Sequence, residues 1–142
     1  SDRTQLETTM HRLILAITFI LTLTGAVRAD EAAIRSVITR QIEAFLADDF
    51  GTAFTFASPS IQGLFGTPER FGVMVREGYP MVWRPAEVEF LGTDVEAGRL
   101  WQNVLITDQD GALHILEYQM IRGETDWKIN AVRLRQPPAG TV

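Results

Sequence analysis

Apolar and polar positions recur with two different periods along this chain, and the change of period divides it. From Ile34 the apolar stripe steps by three and four: Ile34, Val37, Ile38, Gln41, Ile42, Phe45 and Leu46 share one side. Arg35, Thr39, Arg40 and Glu43 take the other. That spacing predicts an amphipathic helix over 31–47, with Asp30 as its cap and Asp49-Phe50-Gly51 as its end. A short helix follows over 52–57. Ser58-Pro59 and Thr67-Pro68 repeat one device, a hydroxyl residue before proline. The hydroxyl accepts from a first-turn amide, and proline needs no amide hydrogen there. Helices are predicted over 59–64 and 68–77, the second closed by Gly78.

Beyond Pro85 the period falls to two. Val88/Phe90, Leu100–Thr107, Ala112–Arg122 and Asp126–Leu134 read as strands. Asp108-Gln109-Asp110-Gly111 is one turn. Gly123-Glu124 suits a two-residue type II′ hairpin, with glycine where φ must be positive. That register sets Met120 opposite Trp127, Tyr118 opposite Ile129 and Leu116 opposite Ala131. Helices followed by antiparallel strands make an α+β domain, with the N-terminal helices packed on a curved antiparallel sheet. Leu100, Val104 and Ile106 oppose Trp101 and Leu105, so both faces of that strand are apolar. A strand apolar on both faces needs two covers, which suggests a homodimer through the outer sheet face.

The leading segment has its own pattern. Met10-His11-Arg12 is a short positive start, and Leu13–Leu23 is apolar apart from Thr18 and Thr22. Val27-Arg28-Ala29 then offers small residues at the −3 and −1 positions of a cleavage site. As a helix this run is about 16 Å long, against a hydrocarbon core of roughly 30 Å. The reading is a signal peptide over Met10–Ala29, cleaved before Asp30, with a periplasmic or secreted product and no stable membrane anchor. Residues 1–9 read as an over-extended start or an expression remnant. Residues 30–136 form the single domain, and 137–142 a flexible tail.

Composition narrows the chemistry. The 142 residues contain no cysteine, which removes disulfides, thiolate metal sites, a cysteine nucleophile and a cysteine-borne lipid. The formal net charge is −5 without a basic run, which disfavours a phosphate backbone as partner. His114 is the sole histidine after residue 29, and no G-x-S-x-G elbow accompanies it. Numbering Gly111 as position 6 of a calcium loop puts Glu117 at position 12, but Ile106 then falls at position 1 and cannot ligate. No metal site, cofactor or catalytic residue is assigned.

The stretch FASPSIQGLFGTPERFGVMVREGYPMVWRP (Phe56–Pro85), with WKINAV (Trp127–Val132), resembles an uncharacterised family of bacterial exported domains. That family is grouped with the cone-shaped α+β fold of nuclear transport factor 2 and ketosteroid isomerase. The resemblance implies helices over a curved sheet, a pocket between them and frequent dimers. It implies no activity, because the fold hosts isomerases, cyclases, hydrolases and binding modules alike.

Seven residues are candidates to line such a pocket: Phe71, Tyr79, Trp83, Arg84, Trp101, Tyr118 and Trp127. The aromatics would face an apolar or amphipathic small molecule, or else simply fill the core. Arg84 would hold an anionic group or brace its loop by pairing with Glu77. Isomerase chemistry needs a carboxylate base opposite a donor such as Tyr118. Glu117 alternates outward, and Asp48 and Asp49 read as a solvated helix end. The leading expectation is non-catalytic binding of a small apolar ligand or a protein partner. The alternatives are an isomerase, cyclase or hydrolase using Tyr118 with Asn130 or Arg84, and a structural envelope dimer.

Overall fold

The computed structural model describes residue 25 and residues 27–135. Two units divide the chain, Ser1–Ala33 and Ile34–Val142. In the first, residues 27–33 are helical. Asp30 therefore lies inside helical backbone and not at the cap expected of it, because the three residues before it already adopt the helix. Residues 1–24 and 26, which hold most of the expected signal segment, and the tail from 136 lie outside the described residues.

The second unit begins with α1, residues 34–46. Its stripe is buried as the spacing requires: Ile34, Val37, Ile38, Gln41, Ile42 and Phe45 are all inside. Leu46, the last of the predicted set, is exposed. The helix ends on Asp48, whose φ of 54° is left-handed, a conformation that short polar side chains reach more easily than bulky ones. Asp49 then caps α2 (Phe50–Thr55), accepting from the Thr52 amide at 3.1 Å. This cap starts α2 two residues earlier than predicted.

Ser58 and Thr67 cap α3 (Pro59–Phe65) and α4 (Pro68–Gly78) as read from the sequence, with proline at the first turn of each. Ser58 Oγ accepts from the Ile61 amide at 3.3 Å and Thr67 Oγ1 from Arg70 at 3.2 Å. Pro80 opens one further turn, α5 (Pro80–Trp83), where a plain connection was expected. Gly72 faces Phe50 so closely that a Cβ would stand 2.7 Å from the ring. Phe45, Phe50, Phe54, Phe65 and Phe71 form a tilted aromatic cluster with neighbouring centroids 5.3–6.3 Å apart.

Four antiparallel strands follow in sequential order: β1 (Glu87–Glu96), β2 (Arg99–Thr107), β3 (Leu113–Arg122) and β4 (Trp127–Leu134). β1 runs well past the predicted Val88/Phe90 to a two-residue turn, Ala97-Gly98, with both φ values positive. That combination is the type I′ geometry that matches strand twist. β1 bulges between Phe90 and Thr93. Gln102 Nε2 donates to the freed carbonyls there, Leu91 at 2.9 Å and Gly92 at 3.4 Å.

The β3–β4 register differs from the prediction. Arg122 pairs with Trp127 and Met120 with Ile129. The turn spans residues 123–126, closed by Gly123 N donating to Asp126 O at 2.8 Å. Gly123 is not in the positive-φ region, so the type II′ turn does not form. A second bulge sits between Gln119 and Met120, after which Tyr118 faces Val132 and Leu116 faces Leu134. The helices pack on one sheet face. Val104, Ile106, Leu116, Tyr118, Met120 and Ile129 join the helical residues in one core.

Candidate functional site

A cavity of about 270 Å³ lies between the helices and the inner sheet face. α1 contributes Gln41 and Phe45. α3 contributes Ile61, Leu64 and Phe65, and α4 contributes Phe71, Met74 and Val75. Ala57 and Tyr79 come from the connections, α5 contributes Val82, and Tyr118, Ile129, Ala131 and Val132 form the floor. Leu64, 74% exposed, stands at its rim. The two short helices can build this wall because each carries an apolar triplet at i, i+3 and i+4: 61/64/65 and 71/74/75. Glycine-ended turns and capped starts hold those triplets in place with few residues.

Three of the seven candidates meet here: Phe71, Tyr79 and Tyr118. The other four are not among its lining residues. Trp101 pairs with Gln119 on the sheet face opposite the core, 7% exposed, with the Arg133 guanidinium 3.8 Å from its ring centroid. Arg133 in turn donates to Glu96 at 2.6 Å and Glu117 at 3.3 Å. Trp127 stands at the start of β4 beneath Arg122, 4.8 Å from its centroid. Trp83 donates its indole N–H to Asp48 Oδ1 at 2.9 Å.

Arg84 braces the fold, but not through Glu77. It grips both oxygens of Asp48 at 2.9 Å and donates to Phe45 O at 2.8 Å, tying the end of α1 to the end of α5. Asp48 is therefore no idle helix end. The indole of Trp83 and the guanidinium of Arg84 hold its carboxyl below the ordinary 3.8. The wrong partner was expected because Glu77 is close to Arg84 in sequence, whereas Asp48 is brought there by the fold.

Asn130 and His114 are occupied in structural roles. Asn130 accepts from Ser58 and donates to Gln119 at 2.6 Å. His114 bonds to Asp108 at 2.7 Å, and Asp108 also accepts the Asp110 and Ala112 amides of the hairpin turn. These bonds, that of His114 first, hold the Asp108 carboxyl below its ordinary value. Among the described residues no three His, Asp or Glu side chains are grouped to hold a metal, and no helix is long and apolar enough to cross a membrane.

Among the lining residues, Gln41 donates to Ala53 O at 3.2 Å and Tyr79 to Val132 O at 3.2 Å. The Tyr118 hydroxyl is fully buried and has no protein partner. Burial pushes its pKa above the ordinary 10.0, so the phenol keeps its proton. Sequence reasoning missed Gln41 and, apart from Phe71, the two helical triplets as cavity residues. The signals were present: a lone glutamine in an apolar stripe, and the same triplet spacing twice.

Residues 27–142 match the family described as Domain of unknown function (DUF4864). No curated protein and no solved structure matches the chain.

Proposed function

The chain belongs to that family of unknown function, so its role is read from its own cavity, and we propose that it is a small-molecule binding domain without catalytic chemistry. The cavity carries this reading. Its lining of fifteen residues is apolar except for Gln41, Tyr79 and Tyr118. Taking the ~30 Å³ share of a liquid water as the volume per heavy atom, it admits a guest on the order of ten non-hydrogen atoms. A partly open, apolar, preformed space with a few polar groups is the usual form of a ligand site.

The alternative of an isomerase, cyclase or hydrolase requires a group to take or give a proton. No Asp, Glu, His, Lys or Arg stands in the lining, and burial pushes the Tyr118 phenol above its ordinary pKa. The helices followed by four antiparallel strands suit the nuclear transport factor 2-like arrangement, which encloses ligands in this place. Export through Met10–Ala29 would place the domain in an oxidising compartment, where a chain without cysteine has nothing to misoxidise.

Native mass spectrometry of protein purified without denaturation tests the reading. The expected spectrum shows a retained small molecule that is lost on unfolding. Ile61→Trp, which fills the cavity from a half-buried position, should remove the adduct and leave the melting temperature near that of the parent. Bare protein, with no melting shift from a panel of apolar compounds, would overturn it.

A further inference from the structure

Resting on the reading of the cavity as a ligand site, we infer that α3 is its lid and that Leu64 is the side chain the lid closes onto the guest. α3 supplies Ile61, Leu64 and Phe65 to the lining, yet none of its seven residues is buried. Among the described residues, every other helix or strand that lines the cavity anchors its share with a buried side chain: Phe45 from α1, Phe71 from α4, Val82 from α5, Tyr118 from β3 and Ile129 from β4. An element with few buried contacts opens at low free energy while the rest of the fold stays closed.

The two ends of α3 suit a hinged wall. Ser58 is buried and ties the start to β4, its amide on Ile129 O and its hydroxyl on Asn130. Gln62 Nε2 donates to Phe54 O and Ala57 O, both at 3.1 Å. Both acceptors precede Ser58 in the chain, so this tether steadies the pivot end. The far end passes into the cap of α4 through Gly66, whose φ of 79° glycine adopts without strain. A few element-terminal residues of this kind absorb the motion of a lid. Phe65 meets the Phe71 ring there, 5.7 Å between centroids, an apolar contact that can slide without breaking a hydrogen bond. Leu64 gives the motion its direction. It stands at the rim of an apolar space, 74% exposed. Swinging inward over a guest takes its side chain out of water. An empty cavity offers it no atoms to pack against, so the guest itself favours the closed position.

Hydrogen–deuterium exchange of the full chain, with and without saturating naphthalene, tests the lid; naphthalene is of the size the cavity admits. In the free protein the amides of Gln62 and Gly66, bonded within α3, should be protected about tenfold less than those of Phe71 and Tyr79 at the two ends of α4. Naphthalene should slow the α3 amides more than the α4 amides. Leu64→Ala should weaken naphthalene about three- to thirtyfold, the range for burying part of a leucine side chain, chiefly through faster release. Without ligand the same variant should melt near the parent temperature, because the side chain it shortens lies in water. Equal protection of α3 and α4 in the free protein, equal slowing of both by naphthalene, or Leu64→Ala binding naphthalene as the parent does overturns the lid and leaves the cavity a rigid ligand site. If the parent binds no naphthalene, the ligand-site reading falls and the lid falls with it.

Discussion

Ser58 donates its hydroxyl hydrogen to Asn130 Oδ1 at 2.8 Å, across 72 positions of sequence. Ser58 Oγ itself accepts the Ile61 amide and so caps α3. The backbone follows the side chain: Ser58 N donates to Ile129 O, Ile129 N donates to Phe56 O, and Ala57 bridges Ile129 in parallel. One serine thus fixes both the start of a cavity-lining helix and its contact with the β4 bulge. Ser58→Ala removes the cap and leaves the half-buried Asn130 short of a donor. The expected loss is about 1–3 kcal/mol, read from urea unfolding as a lower midpoint with an unchanged slope.

Gly72 makes a second close contact testable. Alanine normally favours a helix over glycine by about 1 kcal/mol. Here the added Cβ would stand 2.7 Å from Phe50 Cδ1 and 2.8 Å from Cγ, atoms near the root of a stiff ring. The clash should outweigh the helix gain, giving a net loss of about 1–3 kcal/mol. Adding Phe50→Leu should return part of it. A double-mutant cycle that shows strict additivity would mean that the ring moves aside freely.

Acid stability should depend on Asp48. Trp83 and Arg84 hold its folded pKa below the ordinary 3.8. As pH falls past the ordinary value, the unfolded chain binds a proton that the folded chain still refuses. The stabilisation is therefore present above about pH 4 and is lost as pH falls through the folded pKa. Asp48→Asn does not titrate. At pH 7 it should melt below the parent, and the gap should narrow between about pH 5 and pH 3. Asp49 and Asp108 are also lowered, so both proteins should still weaken in acid. A gap that stays constant with pH would show that the Asp48 charge contributes nothing.

What the sequence made legible was local. The caps at Ser58 and Thr67 were readable because each acts on an amide three residues ahead. The α1 stripe was readable because burial repeats with the helix turn. The β3–β4 register was not, because the turn takes four residues in place of two and a bulge held by Phe56–Ser58, from the helical half of the chain, shifts it once more. The site divided the same way. Tyr118 and Phe71 were found as cavity residues because they stand on inward positions of recognisable elements, and Tyr79 because it is an aromatic at the connection that follows α4. Trp101 was misplaced because size was weighed before parity. Leu100, Gln102, Val104 and Ile106 pair with Met120, Tyr118, Leu116 and His114 on the core side, which sends Trp101 to the other face.

The outer-face position of Trp101 decides the last prediction. Two apolar faces on β2 suggested a second copy of the chain as the outer cover. The structure supplies a cover of its own: the Arg133 guanidinium carbon lies over the Trp101 ring, 3.8 Å from its centroid, and Glu96 and Glu117 position it. A guanidinium stacked in this way shields the ring while keeping its charge in water. In a Trp83→Phe/Trp127→Phe background, Trp101 is the single emitter. Arg133→Ala should shift its emission to longer wavelength, and it should do so in dilute protein whose mass by light scattering is that of one chain. If a second copy covers this face instead, the parent scatters as a dimer, the Arg133→Ala emission stays at short wavelength, and dilution shifts it. Short-wavelength emission from monomeric Arg133→Ala protein would show that neither the arginine nor a partner buries the ring.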